Sequence, residues 1–165
     1  MAYRNLYELV AAGTALTNST AETVLASYTL PAYAPQAGKR YRVRLAVVAS
    51  STNSTDTLRV RLRAGPTTLT GTVIVDGTAV DVANADLIYA DVEVTVRSVG
   101  SSGAMVWGGL FSITGAEGTA TARSVYESTT PDLTAALRLE VTGTWSVASA
   151  SNICAAQILS VDEIA

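Results

Sequence analysis

The feature that most constrains this chain is alternation with a period of two. In Arg40-Tyr41-Arg42-Val43-Arg44-Leu45-Ala46-Val47, the apolar Tyr41, Val43, Leu45 and Val47 take every second position and Arg40, Arg42 and Arg44 fill the places between. Leu58-Arg59-Val60-Arg61-Leu62-Arg63 repeats the pattern. So does Leu87 to Arg97, where Ile88, Ala90, Val92, Val94 and Val96 alternate with Tyr89, Asp91, Glu93, Thr95 and Arg97. Successive side chains of a strand point to opposite faces, so segments written this way bury one face and offer the other to water or a partner. The spacing predicts three strands. It joins the first two as a hairpin across the polar loop Ser50 to Asp56.

Weaker versions of the signal fill the rest of the chain. Leu6 to Val10 reads as a first strand. Val24 to Leu30 reads as the next, with Val24, Ala26, Tyr28 and Leu30 on one face and Pro31 closing it. Val73 to Val75 is a strand with Asp76-Gly77 as a hairpin turn, and Ala79 to Asp86 is loop or a short helical turn. Met105 to Thr114 carries Gly108-Gly109, a bulge or a close backbone approach. Arg123 to Glu127 follows. Leu133 to Thr144 brings Leu137, Leu139 and Val141 to the core, and Asn152 to Val161 ends the chain. Turn residues at Asn18-Ser19-Thr20, Pro35 to Gly38, Gly100 to Gly103 and Gly115 to Gly118 punctuate these runs. The expected fold class is all-β: an antiparallel β-sandwich, jelly-roll-like, of about eight strands with no helix. At 165 residues, one domain over 1–165 is expected, with residues 1–10 as a first strand or an N-terminal arm.

The residue inventory speaks against catalysis. The chain has no His, which removes the commonest general base, the usual triad partner and the commonest metal ligand. Its one cysteine, Cys154, permits no intrachain disulfide. Set among Ile153, Ala155 and Ala156, it reads as a small buried hydrophobe. A zinc ligand set cannot be assembled, and no Gly-rich phosphate loop is present. Two-acid hydrolysis leaves Asp91 with Glu93, or Glu140, as formal candidates, against the simpler reading that such strand-face acids pair with Arg. Asp76, Asp81, Asp86 and Asp91 recur every five residues, but calcium wants six or more oxygens from a compact loop, and chance spacing explains them more simply. The expectation is therefore no enzyme, with no catalytic residue, no cofactor and no metal.

The basic residues carry the sharper question. Arg40, Arg42, Arg44, Arg59, Arg61 and Arg63, placed on one face of one hairpin, would repel one another unless something offsets them. Asp91 and Glu93 on a neighbouring strand of the same chain would do so, and so would an acidic surface on a neighbouring subunit. Nucleic acid is the least favoured partner, given a net charge of −3 and few aromatics. These six arginines with Asp91 and Glu93 are the interface candidates.

The surface points the same way. Charged residues make up 15% of the chain against 48% hydrophobic, which is little charge for a soluble monomer. Ala104-Met105-Val106-Trp107 and Ile153-Cys154-Ala155-Ala156 alternate poorly, as if both faces were covered. Ten Arg against the single Lys39 suit interfaces, and a GC-rich genome would produce the same bias. The start Met1-Ala2-Tyr3-Arg4-Asn5 opens no signal peptide and no run approaches a membrane helix, so synthesis in a cytoplasm is expected, with no membrane partner. Asn18-Ser19-Thr20 and Asn53-Ser54-Thr55 match the glycosylation pattern and are read as turns.

Three stretches carry a resemblance. Thr23-Val24-Leu25-Ala26-Ser27-Tyr28-Thr29-Leu30-Pro31-Ala32, then Gly38-Lys39 with Arg42 to Arg63, and Leu137 to Ser146 followed by Ala148 to Asn152 and a last strand, resemble small jelly-roll structural proteins of tailed bacteriophages. The likeness covers most of the chain as pattern, without a diagnostic motif, and Gly71 to Asp86 departs from it. It implies a virion component: a capsid decoration or cement protein forming a homotrimer on the head, with the major capsid protein or other virion proteins as partners. The alternative is a tail- or fibre-associated module that binds a receptor or carbohydrate. Exposed clustering of Tyr33, Tyr41 and Tyr89 would favour that alternative.

Overall fold

The computed structural model describes residues 3–52, 55–114 and 120–164. Its strands are β1 (Tyr3–Glu8), β2 (Leu16–Thr17), β3 (Thr23–Leu30), β4 (Arg40–Ser50), β5 (Thr57–Gly65) and β6 (Thr72–Asp76), then β7 (Val80–Asp81), β8 (Asp86–Ser98), β9 (Ala104–Thr114), β10 (Ala120–Thr129), β11 (Leu137–Trp145) and β12 (Ile153–Ile164). One sheet has the order β1-β12-β4-β8-β9-β10 with β2 beside β12. The other has the order β3-β11-β5-β6 with β7 beside β5. All pairings are antiparallel.

Eight of these strands form a wrapped hairpin. β5 pairs with β6, β4 with β8, β3 with β11 and β1 with β12, so the pairs nest about a single turn. Successive pairs fall in alternate sheets, which is a jelly roll. The other four strands are additions. β2 and β7 are two-residue bridges, and the β9–β10 hairpin extends the larger sheet beyond β8. The expected eight strands are thus the frame of a sandwich that has twelve strands among the described residues.

Alternation places the core as expected along β4, β5 and β8. Tyr41, Val43, Leu45 and Val47, then Leu58, Val60 and Leu62, then Ile88 to Val96 at every second residue, are all buried between the sheets. Trp107 and Trp145 are fully enclosed, and Trp107 Nε1 donates to Thr129 Oγ1 at 3.0 Å. A buried polar cluster fastens one end: Asn152 donates to Asp56 at 2.9 Å and to the Val147 carbonyl at 3.0 Å, and Ser51 donates to Asn152 at 2.7 Å.

Several local expectations are corrected. β4 and β5 are not a hairpin: β4 pairs with β12 and β8, and β5 with β11 and β6, in the opposite sheet. The chain crosses over through the polar loop, since alternation tells which face is buried but not which strand lies alongside. Asp76-Gly77 makes no hairpin turn either, because β6 and β7 both pair with β5 and the Gly77 N–H donates to the Val60 carbonyl at 2.9 Å. In β3 a register shift opposite Val141 and Thr142 turns Leu25 into the core at 1% exposure and leaves Val24 half-buried. The first strand ends at Glu8, and Val10 is 96% exposed. Gly108-Gly109 is a close approach and not a bulge. Register runs unbroken past it on both sides, and a Cβ on Gly109 would lie 2.1 Å from the Asp91 carbonyl oxygen. The expected turn at Gly115 to Gly118 lies outside the described residues, as does Asn53.

Candidate functional site

The six arginines occupy two separate surfaces. Arg40, Arg42 and Arg44 project from the outer face of the seven-stranded sheet, and Arg59, Arg61 and Arg63 from the outer face of the five-stranded one. The single ladder expected from the sequence does not exist, because its two halves belong to different sheets.

On the larger sheet, register sets Arg42 opposite Glu93 and Arg44 opposite Asp91. The ion pairs run diagonally: Arg40 reaches Glu93 at 2.5 Å and Arg42 holds Asp91 through two hydrogen bonds, the Nε one at 2.8 Å. Arg44 turns the other way to Asp162 of β12 at 3.0 Å. Asp91 and Glu93 are therefore brought to the expected arginines, and Asp162, which the sequence reading did not single out, completes the band. It was hidden because its partner strand is remote in sequence. Two cross-strand neighbours, Arg44 Nε and Ser160 Oγ, are buried without a hydrogen-bond partner. Arg44 also lines a hollow of about 300 Å³ with Tyr3, Arg42 and Asp162.

On the smaller sheet the organising group is Glu22, just before β3. It accepts from Arg63 at 2.8 and 2.9 Å and from Thr142 at 2.6 Å, with Arg61 at 3.4 Å. Burial alone would raise its carboxyl pKa. The hydrogen bonds from Arg63 and Thr142 and the two guanidinium charges outweigh that and hold it below the ordinary value. Asp76 is held low in the same way, burial being opposed by hydrogen bonds from Arg59 and Arg61. Glu140, on the same face, is buried under the 66–71 loop, where it accepts from Arg138 at 2.5 Å and from the Leu69 N–H at 2.8 Å.

These pairings settle where the acids lie. Asp91 and Glu93 share the outer face of the larger sheet, each held by an arginine of β4, and Glu140 lies buried on the smaller sheet. Asp76 faces Arg59 and Arg61, Asp86 accepts from the Ala83 N–H at 2.8 Å, and Asp91 faces Arg42. The five-residue spacing does not converge, and among the described residues no three acids, Cys or His gather as metal ligands. The tyrosines do not cluster on the surface: Tyr33 is 70% exposed, Tyr41 is 1% exposed and Tyr89 lies half-buried on the outer face. Cys154 is buried, and burial pushes its thiol up to about 12. Among the described residues no helix is long and apolar enough to cross a membrane.

Beside the charged band the larger sheet turns apolar. Ile158, Ala46 and Tyr89 form one cross-strand row over β12, β4 and β8, and Ala155, Val48 and Leu87 form the next. Ile153 extends this patch, and Leu110 stands on β9 opposite Asp91. Leu87, Leu110, Ile153 and Ile158 are each more than 40% exposed. The outer face of a solitary sandwich would carry polar residues here.

No protein-family model and no curated protein matches the chain. Among solved structures, that of infectious bursal disease virus Gx strain resembles it with a TM-score of 0.38 and 13% identity, over 98% of this chain. The chain spans about a third (32%) of the length of that one.

Proposed function

We propose that the chain is a structural protein of a virus particle, without catalytic activity: a capsid decoration protein of a tailed bacteriophage that assembles as a trimer on the head. The observation that carries the reading is the pair of apolar rows on the outer face of the seven-stranded sheet, Ile158-Ala46-Tyr89 and Ala155-Val48-Leu87. Leu87 and Ile158 are exposed there, Tyr89, Val48 and Ala155 are half-buried and Ala46 is buried. An outer sheet face that is apolar and leaves Leu and Ile exposed marks contact with another chain. The sequence resemblance to jelly-roll virion proteins supports the setting, and the jelly-roll fold is one that viral capsid domains use.

In this reading the apolar rows meet a second copy or the shell. The neighbouring band of Arg40, Arg42, Arg44, Asp91, Glu93 and Asp162 supplies the polar rim, already neutralised within the chain. That balance leaves little free positive charge for nucleic acid. Affinity for the shell comes from many weak contacts acting together.

The test is retention on shells. Purified protein mixed with undecorated heads of its phage and sedimented is expected to co-pellet at a fixed stoichiometry, and light scattering on the free protein is expected to give three times the chain mass. Protein that stays in the supernatant at all concentrations would remove the decoration role.

A further inference from the structure

Tyr33 stands where neither turn chemistry nor packing asks for a tyrosine. The turn Pro31 to Ala34 is closed by the Ala34 N–H donating to the Pro31 carbonyl at 3.1 Å. Its third residue, Tyr33, has φ 60°, a left-handed conformation that turns reserve for Gly or Asn and that penalises bulky side chains. The ring gains little from burial, being 70% exposed. Leu69 and Ala85 share this conformation, and Tyr33 differs from them in being an exposed aromatic that lines two hollows. Strained positions of that kind cluster at binding sites.

Two hollows meet at that ring. One, of about 300 Å³, opens between the sheets at the end of the sandwich, with Tyr28, Tyr41, Arg4, Lys39 and Glu163 in its lining. The other, of about 320 Å³, lies against Val99 and Leu133. The Tyr41 hydroxyl donates to the Ala34 carbonyl at 3.3 Å, fastening the turn over the first hollow. Arg4 and Glu163 are cross-strand partners. Glu163 lies 2.9 Å from Lys39 Nζ and 3.6 Å from Arg4 Nη2. Two cations face one carboxylate, so this mouth is locally positive on a chain of net charge −3.

We propose that this end of the sandwich is a binding site for a short acidic saccharide that straddles Tyr33, with a uronate carboxylate toward Arg4 and Lys39. A sugar ring offers the two things the site can take. Its C–H face stacks on an exposed aromatic ring, and its hydroxyls and carboxylate meet a few convergent polar groups in a small concave site. The excess of donors over acceptors selects an acidic sugar over a neutral one. The mouth lies at the Tyr41 end of β4 and the apolar rows at its Ala46–Val48 end. A copy seated by the apolar rows therefore leaves the mouth open, and the proposal stands whether or not the chain decorates a shell.

Saturation-transfer NMR and calorimetry on the full chain, with trigalacturonate, neutral galactotriose and a glutamate tripeptide as probes, test it. Trigalacturonate is expected to bind, galactotriose about tenfold more weakly, and the tripeptide not measurably. Tyr33→Gly is expected to weaken trigalacturonate about tenfold, the loss of one aromatic stack. Its melting temperature should hold or rise, because Gly accepts the left-handed turn. Arg4→Ala should bring trigalacturonate to the level of galactotriose. Absence of transfer from both saccharides, equal binding of the tripeptide, or unchanged binding by Tyr33→Gly would each overturn the proposal.

Discussion

Glu22 and Arg63 form a two-point ion pair at 2.8 and 2.9 Å across the face of β11, with Thr142 of that strand donating to the same carboxylate at 2.6 Å. The pair ties the segment before β3 to β5 over an intervening strand. It is also partly shielded, with Glu22 22% and Arg63 15% exposed.

Glu22→Gln is therefore expected to cost about 1–2 kcal/mol at neutral pH, in the range of a charge-assisted hydrogen-bonded pair with some solvent screening. Glu93→Gln, whose partner Arg40 is exposed like itself, should cost less than about 0.5 kcal/mol. The pH dependence follows from the sign of the shift. The native Glu22 carboxyl lies below its ordinary value of 4.5, so its stabilisation is complete above that value and is lost as pH falls through the lower native one. Urea midpoints of wild type and Glu22→Gln should differ at pH 7 and converge near pH 3. Equal midpoints at both pH values would contradict the assignment.

Cys154 makes the opposite prediction. Burial raises its thiol from 9.0 to about 12, so the native thiol stays protonated where the unfolded one ionises. Its contribution is present below pH 9 and falls by about 1.4 kcal/mol per pH unit above it. Wild type minus Cys154→Ala, measured by urea unfolding from pH 8 to 10.5, isolates this slope from the other titrating groups. A thiol reagent at pH 8 should label Cys154 only as the chain unfolds, and rapid labelling of native protein would refute the burial.

Sequence reading recovered what depends on one strand at a time. Alternation identified the buried faces of β4, β5 and β8, because burial on one side leaves its mark on every second residue. What it missed depends on which strands are neighbours. The six arginines read as one ladder because β4 and β5 are adjacent in sequence, yet a crossover sends them to opposite sheets. Asp162 and Glu22, which neutralise Arg44 and Arg63, lie 118 and 41 residues from their partners, and no local pattern marks them. Tyr33 is visible in the sequence as an aromatic, but its left-handed backbone has no sequence signal, since residues with that conformation are ordinarily Gly or Asn.

Gly108 and Gly109 offer a paired test of close approach. A Cβ on Gly109 would lie 2.1 Å from the Asp91 carbonyl oxygen and 2.7 Å from the Val92 Cα, both main-chain atoms that cannot yield without moving β8. A Cβ on Gly108 meets nothing nearer than 3.8 Å. Gly109→Ala is expected to cost about 2 kcal/mol or more through overpacking. Gly108→Ala should be neutral or slightly stabilising, since alanine loses less backbone freedom in a strand. Thermal melts of the two variants decide it, and equal tolerance would mean that the β8–β9 contact is looser than described.

The apolar rows of the larger sheet give the last prediction. Leu87 and Ile158 are 41% and 44% exposed and stand at opposite ends of two adjacent rows, so a charge at either place costs the isolated chain little. In an assembly the same charge is buried without a partner at the centre of the contact, at several kcal/mol per site. Leu87→Glu and Ile158→Glu should therefore keep the wild-type circular dichroism and melt within a few degrees of a monomeric reference. By light scattering they should run as single chains, where wild type is expected to run as the proposed oligomer. Tyr126→Ser, on β10 away from the rows, should leave the oligomer intact. If both glutamate variants assemble as wild type does, the subunits meet elsewhere and the apolar rows are not the contact.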